Sequence, residues 1–195
     1  MSMNIIRIGL IAIVFTFIAC AEKQQTLDLS GEWEVSLDSM NSFQPIQLPG
    51  TTDMAELGVP NPLEPELKKP QLLHLTRKHA YIGQAWYRRM VTIPEHMANR
   101  PLTLTLERVL WQSRLWIDGV KHLSEEESLT TPHCYYFAEG LDAGEHEILL
   151  CIDNRKRYAI SVSDLAHAYT EDTQVKWNGV LGKMELTAES HINIH

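Results

Sequence analysis

Side-chain catalysis leaves signatures in residue spacing, and this 195-residue chain carries few of them. Of its nine histidines, only His191 and His195 fall at the i, i+4 spacing of a metal-gripping pair. They lie in the last five residues, so no metal site is expected. No Gly-x-Ser-x-Gly turn presents a nucleophile, and no glycine-rich loop is built to cradle a phosphate. The densest carboxylate run, Glu125-Glu126-Glu127, reads as a solvated turn rather than an acid/base pair. Spacing therefore assigns no catalytic residue, no metal and no cofactor.

A different stretch stands out. AWYRRMVTIP, residues 85–94, places two arginines directly after two aromatics. On a pleated strand, Tyr87, Arg89, Val91 and Ile93 share one face, and Trp86, Arg88, Met90 and Thr92 the other. Arg88 and Arg89 cannot both point inwards. Whichever is buried requires a partner, expected to be a buried carboxylate or a neighbouring domain. Trp86 is expected in the core.

These residues must be positioned by a β-rich domain. Apolar residues make up 44% of the chain, enough for a full core in one domain of this length. The formal net charge of −8 argues against a nucleic-acid partner, which favours a basic face. Residues 29–37, 85–93, 102–107, 114–118, 135–138, 145–153 and 180–186 read as strands, several with strict alternation, and Asp118-Gly119 is a hairpin signal. Residues 38–84 contain Pro45, Pro49, Pro60, Pro62, Pro65 and Pro70, and read as one long irregular connection. Cys151, in the apolar run ILLCI, reads as a buried small hydrophobe rather than half of a disulfide with Cys134.

The first nineteen residues are read as an export signal: Arg7 in a basic start, then an apolar run over 8–19 that is short for a bilayer span. Phe17-Ile18-Ala19-Cys20 resembles a bacterial lipoprotein cleavage site, with Phe where Leu is usual. That resemblance implies an exported chain lipidated at Cys20, touching the membrane only through that anchor. Residues 20–28 are expected to be a tether.

Four segments taken together resemble glycoside hydrolase family 2: AWYRRMVTIP; Leu115-Trp116-Ile117-Asp118-Gly119-Val120; GLDAGEHEILLCIDN at 140–154; and Trp177-Asn178-Gly179-Val180-Leu181-Gly182 with the strand that follows. They look like that family's N-terminal sugar-binding domain, over roughly residues 29–187. The resemblance implies an all-β, jelly-roll β-sandwich of the galactose-binding type, preceded by the signal helix. It implies carbohydrate as ligand, and an immunoglobulin-like domain and a TIM barrel as partners, with residues 188–195 opening the next domain. Retaining hydrolysis of β-glycosides uses two carboxylates, which in this family lie in the barrel. The chain itself is therefore expected to be inactive alone: the sugar-binding module of an exported β-glycosidase, or alternatively a stand-alone surface carbohydrate-binding lipoprotein.

In several family members the loop before the last sandwich strand reaches the sugar with polar side chains. Here that loop is 168–179, and the resemblance makes Asp172, Gln174 and Asn178 substrate-binding candidates, with Trp177 packing or stacking on a ring. Trp111, between two strands, reads as a core or inter-domain residue.

Overall fold

Leu102, Leu104 and Leu106 lie on one side of an eight-residue strand and are fully buried, while Thr103, Thr105 and Glu107 between them are not. The same period of two runs through Ile148, Leu150 and Ile152. Each such side chain, taken from exposure to full burial, contributes about 1.5–3 kcal/mol. Two such faces bury one another, and the result is a sandwich.

The computed structural model describes residues 25–62, 78–158 and 176–189. One antiparallel sheet has the order β1 (Gln25–Asp28), β14 (Gly179–Ala188), β8 (Leu102–Val109), β12 (His133–Phe137), with the short β4 (Gly50–Thr51) beside β14. The other runs β10 (Val120–Lys121), β9 (Gln112–Ile117), β13 (Gly144–Asp153), β7 (Gln84–Ile93), β2 (Gly31–Ser36), β3 (Gln44–Leu48), with β11 (Glu126–Glu127) on β9. A small ribbon pairs β5 (Val59–Pro60) with β6 (His79–Ala80). From β7 to β9 and from β12 to β14 the chain crosses between the sheets at each step, as in a jelly roll. The core draws on both sheets, with Trp33, Tyr87, Leu115 and Leu150 from one and Leu104, Tyr135, Val180 and Leu186 from the other. The expected all-β jelly-roll sandwich is the observed fold.

Four local expectations are corrected. Residues 25–28, assigned to the tether, form β1, whose partners on β14 run from Gln25–Ala188 to Asp28–Glu185. The region 38–84 is not one irregular connection, because β3 pairs with β2. Pro45 is tolerated there because β3 is an edge strand, where one N–H can be absent. Trp86 is half-buried on the outer face of its sheet, its ring centroid 5.2 Å from that of Trp116, and is not a core residue. The inward arginine, Arg89, meets no buried carboxylate among the described residues. Its Nη1 donates to the carbonyls of Leu29 and Ser30, both at 2.8 Å. Arg88 faces out, where its Nε donates to Glu34 at 2.7 Å and its guanidinium lies 3.9 Å from the centre of the Phe43 ring.

Candidate functional site

Strand β13 ends at Asp153 and β14 begins at Gly179, so residues 154–178 form the connection that holds most of the candidate binding residues. Two buried asparagines clamp its ends. Asn154 Nδ2 donates to the carbonyls of Trp177 and Tyr81, each at 2.9 Å, and its Oδ1 accepts from the Gly83 amide at 2.9 Å. Asn178 Oδ1 accepts from the Tyr87 hydroxyl at 2.7 Å, and its Nδ2 donates to the carbonyls of Gly83 and Ile152, each at 3.2 Å. Its own carbonyl accepts from the Thr52 amide at 2.9 Å. Asn178 has no exposed surface and its amide is fully engaged. The expectation that its side chain contacts a ligand is therefore corrected, since it fastens the loop instead.

Gly179, the next residue, has φ +139°, and a Cβ there would stand 2.2 Å from the Gly50 carbonyl oxygen. Only glycine allows β14 and β4 to approach this closely at the loop's base.

Trp177 is half-buried at the same end and packs with Leu110, Trp111 and Leu129. The Trp111 backbone ties this cluster to two elements: its amide donates to the Asp153 carbonyl at 3.3 Å, and its carbonyl accepts from the Ser128 amide at 3.1 Å. The peptide between Leu110 and Trp111 is cis. The indole Nε1 donates to Glu127 Oε1 at 3.2 Å, and the Trp111 ring lies 6.0 Å from that of Tyr158. Glu127 Oε2 also receives the Arg157 guanidinium at 3.4 Å and the Tyr158 hydroxyl at 3.5 Å. Arg157 donates further to Gln112 Oε1 at 2.8 Å, and Gln112 Nε2 to Glu125 at 3.1 Å. The hydrogen bond from Lys121 holds the Glu125 carboxyl below its ordinary range. At Asp153, burial favours the neutral acid, but the Arg155 contacts outweigh it and lower the pKa.

Between Leu110, Leu129 and Trp177 opens a cavity of about 240 Å³, with Arg108 also in its lining. This end thus combines partly exposed aromatic faces with hydrogen-bonding groups, the pairing that suits the apolar faces and hydroxyls of a sugar ring. Glu125 and Glu127 are both held by cations or donors and are not poised as an acid/base pair. Among the described residues, no group of three or more His, Cys, Asp or Glu is placed to hold a metal ion.

Of the expected site residues, Trp177 sits in the cluster and Asn178 beneath it, while Asp172, Gln174 and the lipidation candidate Cys20 lie outside the described residues. Sequence reasoning missed Tyr158, Glu127, Gln112 and Arg108 as members of this end. They come from separate elements and share no local pattern. Trp111 was legible as an unusual residue, though not as a neighbour of Trp177. Glu127, expected in a solvated turn, is on a strand paired with β9.

No family model matches this sequence, and no curated protein does. Solved structures do. A β-glucuronidase from Ruminococcus gnavus superposes with TM-score 0.62 at 11% identity, over 86% of this chain and 29% of that one. A GH2 β-galacturonidase from Eisenbergiella tayi gives 0.56 at 19% identity, over 86% and 25%. A β-glucuronidase from Bacteroides uniformis gives 0.57 at 18%, over 85% and 18%. At these identities the likeness is one of fold. The chain folds as a segment of these glycosidases folds, and spans less than a third of their length.

Proposed function

We propose that this chain is a non-catalytic, carbohydrate-contacting module of an exported β-glycosidase, whose reacting carboxylates belong to another domain. The observation that carries the reading is the aromatic end of the sandwich. Trp177, Trp111 and Tyr158 gather where the 154–178 connection leaves and re-enters the sheets. The fold shared with segments of GH2-type glycosidases supports it. Asp172 and Gln174 belong to the same connection and are the proposed polar contacts. The module supplies one wall of a sugar site; alone, a few hydrogen bonds and one stacking face in competition with water reach roughly millimolar affinity.

Tryptophan fluorescence of the purified full chain, titrated with hexopyranosides, tests the reading. Saturable quenching that Trp177→Ala removes, with an unchanged unfolding curve, supports it. Absence of any saccharide binding overturns it. So does turnover of a nitrophenyl β-glycoside that a substitution within this chain abolishes. Export with lipid at Cys20 is part of the same proposal, and Cys20→Ser should eliminate incorporation of labelled fatty acid.

A further inference from the structure

The proposed sugar-contacting end contains one arginine that holds nothing among the described residues. Every other described arginine has a partner: Arg88 and Arg155 a carboxylate, Arg89 and Arg100 backbone carbonyls, Arg114 the Cys151 sulfur, Arg157 Gln112 and Glu127. Arg108, at the end of β8, has no hydrogen bond or ion pair among the described residues, although the chain holds 25 carboxylates and a net charge of −8. It is exposed and lines the 240 Å³ cavity beside Trp177.

The rest of the lining sharpens what such a cavity accepts. Its apolar lining is Val109, Leu110, Leu129, Leu181 and the half-buried Trp177. Its remaining polar residues are Thr130 and Thr131. Both threonine amides donate to Ser128 Oγ, at 3.1 and 2.9 Å, which fixes the loop that carries them. Among the described residues, no Asp or Glu lines the cavity. The threonine hydroxyls both donate and accept and so suit any sugar, whereas the Arg108 guanidinium only donates, and no carboxylate among the described lining residues faces it. A carboxylate-bearing ring supplies the acceptors itself: two oxygens matched to a guanidinium fork, and a C–H face for the indole. The volume is below the ~300–1,000 Å³ of sites that take drug-sized molecules, which suits a single ring.

Resting on the carbohydrate-contacting reading above, we propose that this cavity is a subsite for an acidic monosaccharide unit, with Arg108 as the residue that selects for its carboxylate. The guanidinium pairs with the ring carboxylate while Trp177 carries the ring, so the two residues divide selectivity from affinity.

The test uses the full chain, with glucuronate, glucose and inorganic sulfate as probes, read by tryptophan fluorescence and by amide chemical shifts. Glucuronate should bind at least ~10-fold more tightly than glucose. Arg108→Met should remove that preference, leaving both sugars at the glucose level and the unfolding curve unchanged. Trp177→Ala should weaken both sugars together. Equal binding of glucuronate and glucose, or a preference that survives Arg108→Met, overturns acid selection but leaves the carbohydrate module standing. No binding of either sugar overturns both. Sulfate competing as strongly as glucuronate would mean that the cavity holds only an anion, and would overturn the ring subsite.

Discussion

The Tyr87 hydroxyl donates to Asn178 Oδ1 across 2.7 Å, although 91 residues separate them in the chain. Tyr87 belongs to the central strand β7, and Asn178 is the last residue before β14, which lies in the opposite sheet. The bond therefore joins the two layers at the base of the connection that carries the candidate site. Both residues have no exposed surface, and burial raises the Tyr87 pKa well above its ordinary value, which keeps the hydroxyl a donor.

Replacing Asn178 should be costly. Asn178→Ala leaves the buried Tyr87 hydroxyl without its acceptor and takes one donor from each of the Ile152 and Gly83 carbonyls, and unpaired buried polar groups cost about 1–3 kcal/mol each. Partial relaxation brings the expected loss to about 2–4 kcal/mol in urea unfolding. Tyr87→Phe removes only one of the three contacts and should cost less than Asn178→Ala. A loss below ~0.5 kcal/mol for Asn178→Ala would show that the clamp is not structural.

The neighbouring Gly179 should tolerate no side chain. A Cβ would collide with the Gly50 carbonyl, at φ +139°, where L-residues are strained. Gly179→Ala is expected to lower stability by more than ~2 kcal/mol, measured by thermal or urea unfolding. Gly119→Ala is the control: φ is +77° there, yet nothing lies within 4 Å of the added carbon, so its effect should be smaller.

The two adjacent arginines should behave differently. Arg88 and Glu34 form an exposed pair, and such pairs contribute about 0–1 kcal/mol, so Arg88→Ala should move stability little. Arg89 is the donor to two carbonyls at the turn before β2, and hydrogen bonds from charged groups contribute about 1.5–3 kcal/mol. Arg89→Met should therefore destabilise by roughly that amount. Unfolding curves in which both substitutions cost the same would contradict this division.

His146 predicts a pH dependence. Its Nδ1 meets Asp118 Oδ2 at 2.6 Å and its Nε2 meets the Asp142 carbonyl at 3.0 Å. Burial favours the neutral ring, but the Asp118 and Asp142 hydrogen bonds and the negative charges outweigh it, and the pKa is raised above 6.5. A group with a raised folded pKa stabilises fully below its unfolded value and loses that contribution as pH rises through the folded one. The stability difference between wild type and His146→Gln should thus shrink as pH climbs from 6 to beyond the folded pKa. Asp118, lowered chiefly by its hydrogen bond with His146, adds the opposite limit, with its contribution fading as pH falls below 3.8. A difference that grows with pH above 6.5 would refute the assignment.

Much of the fold is legible in the sequence. Alternation in 102–107 and 145–153, the turn at Asp118-Gly119 and the strand 85–93 all fall where strands are found, because a half-buried strand writes its burial into every second residue. What escaped were the two-residue strands β4, β5, β6, β10 and β11, too short to show a period, and β1 and β3, which are edge strands. β3 does alternate, burying Ile46 and Leu48, but it is only five residues long and carries Pro45, which a ladder accepts at an edge and which reads as a strand breaker in sequence.

The candidate site divides in the same way. The resemblance to glycoside hydrolase family 2, not the residue types by themselves, made Trp177 and Asn178 candidates. Only the tertiary structure decided that Asn178 faces inwards to Tyr87 while Trp177 joins Trp111 and Leu129 over a cavity. The same is true of Arg89, whose partners proved to be backbone carbonyls. Local pattern reports whether a side chain is buried. Which atoms it meets depends on strands brought together from distant parts of the chain, and no short-range spacing encodes that pairing.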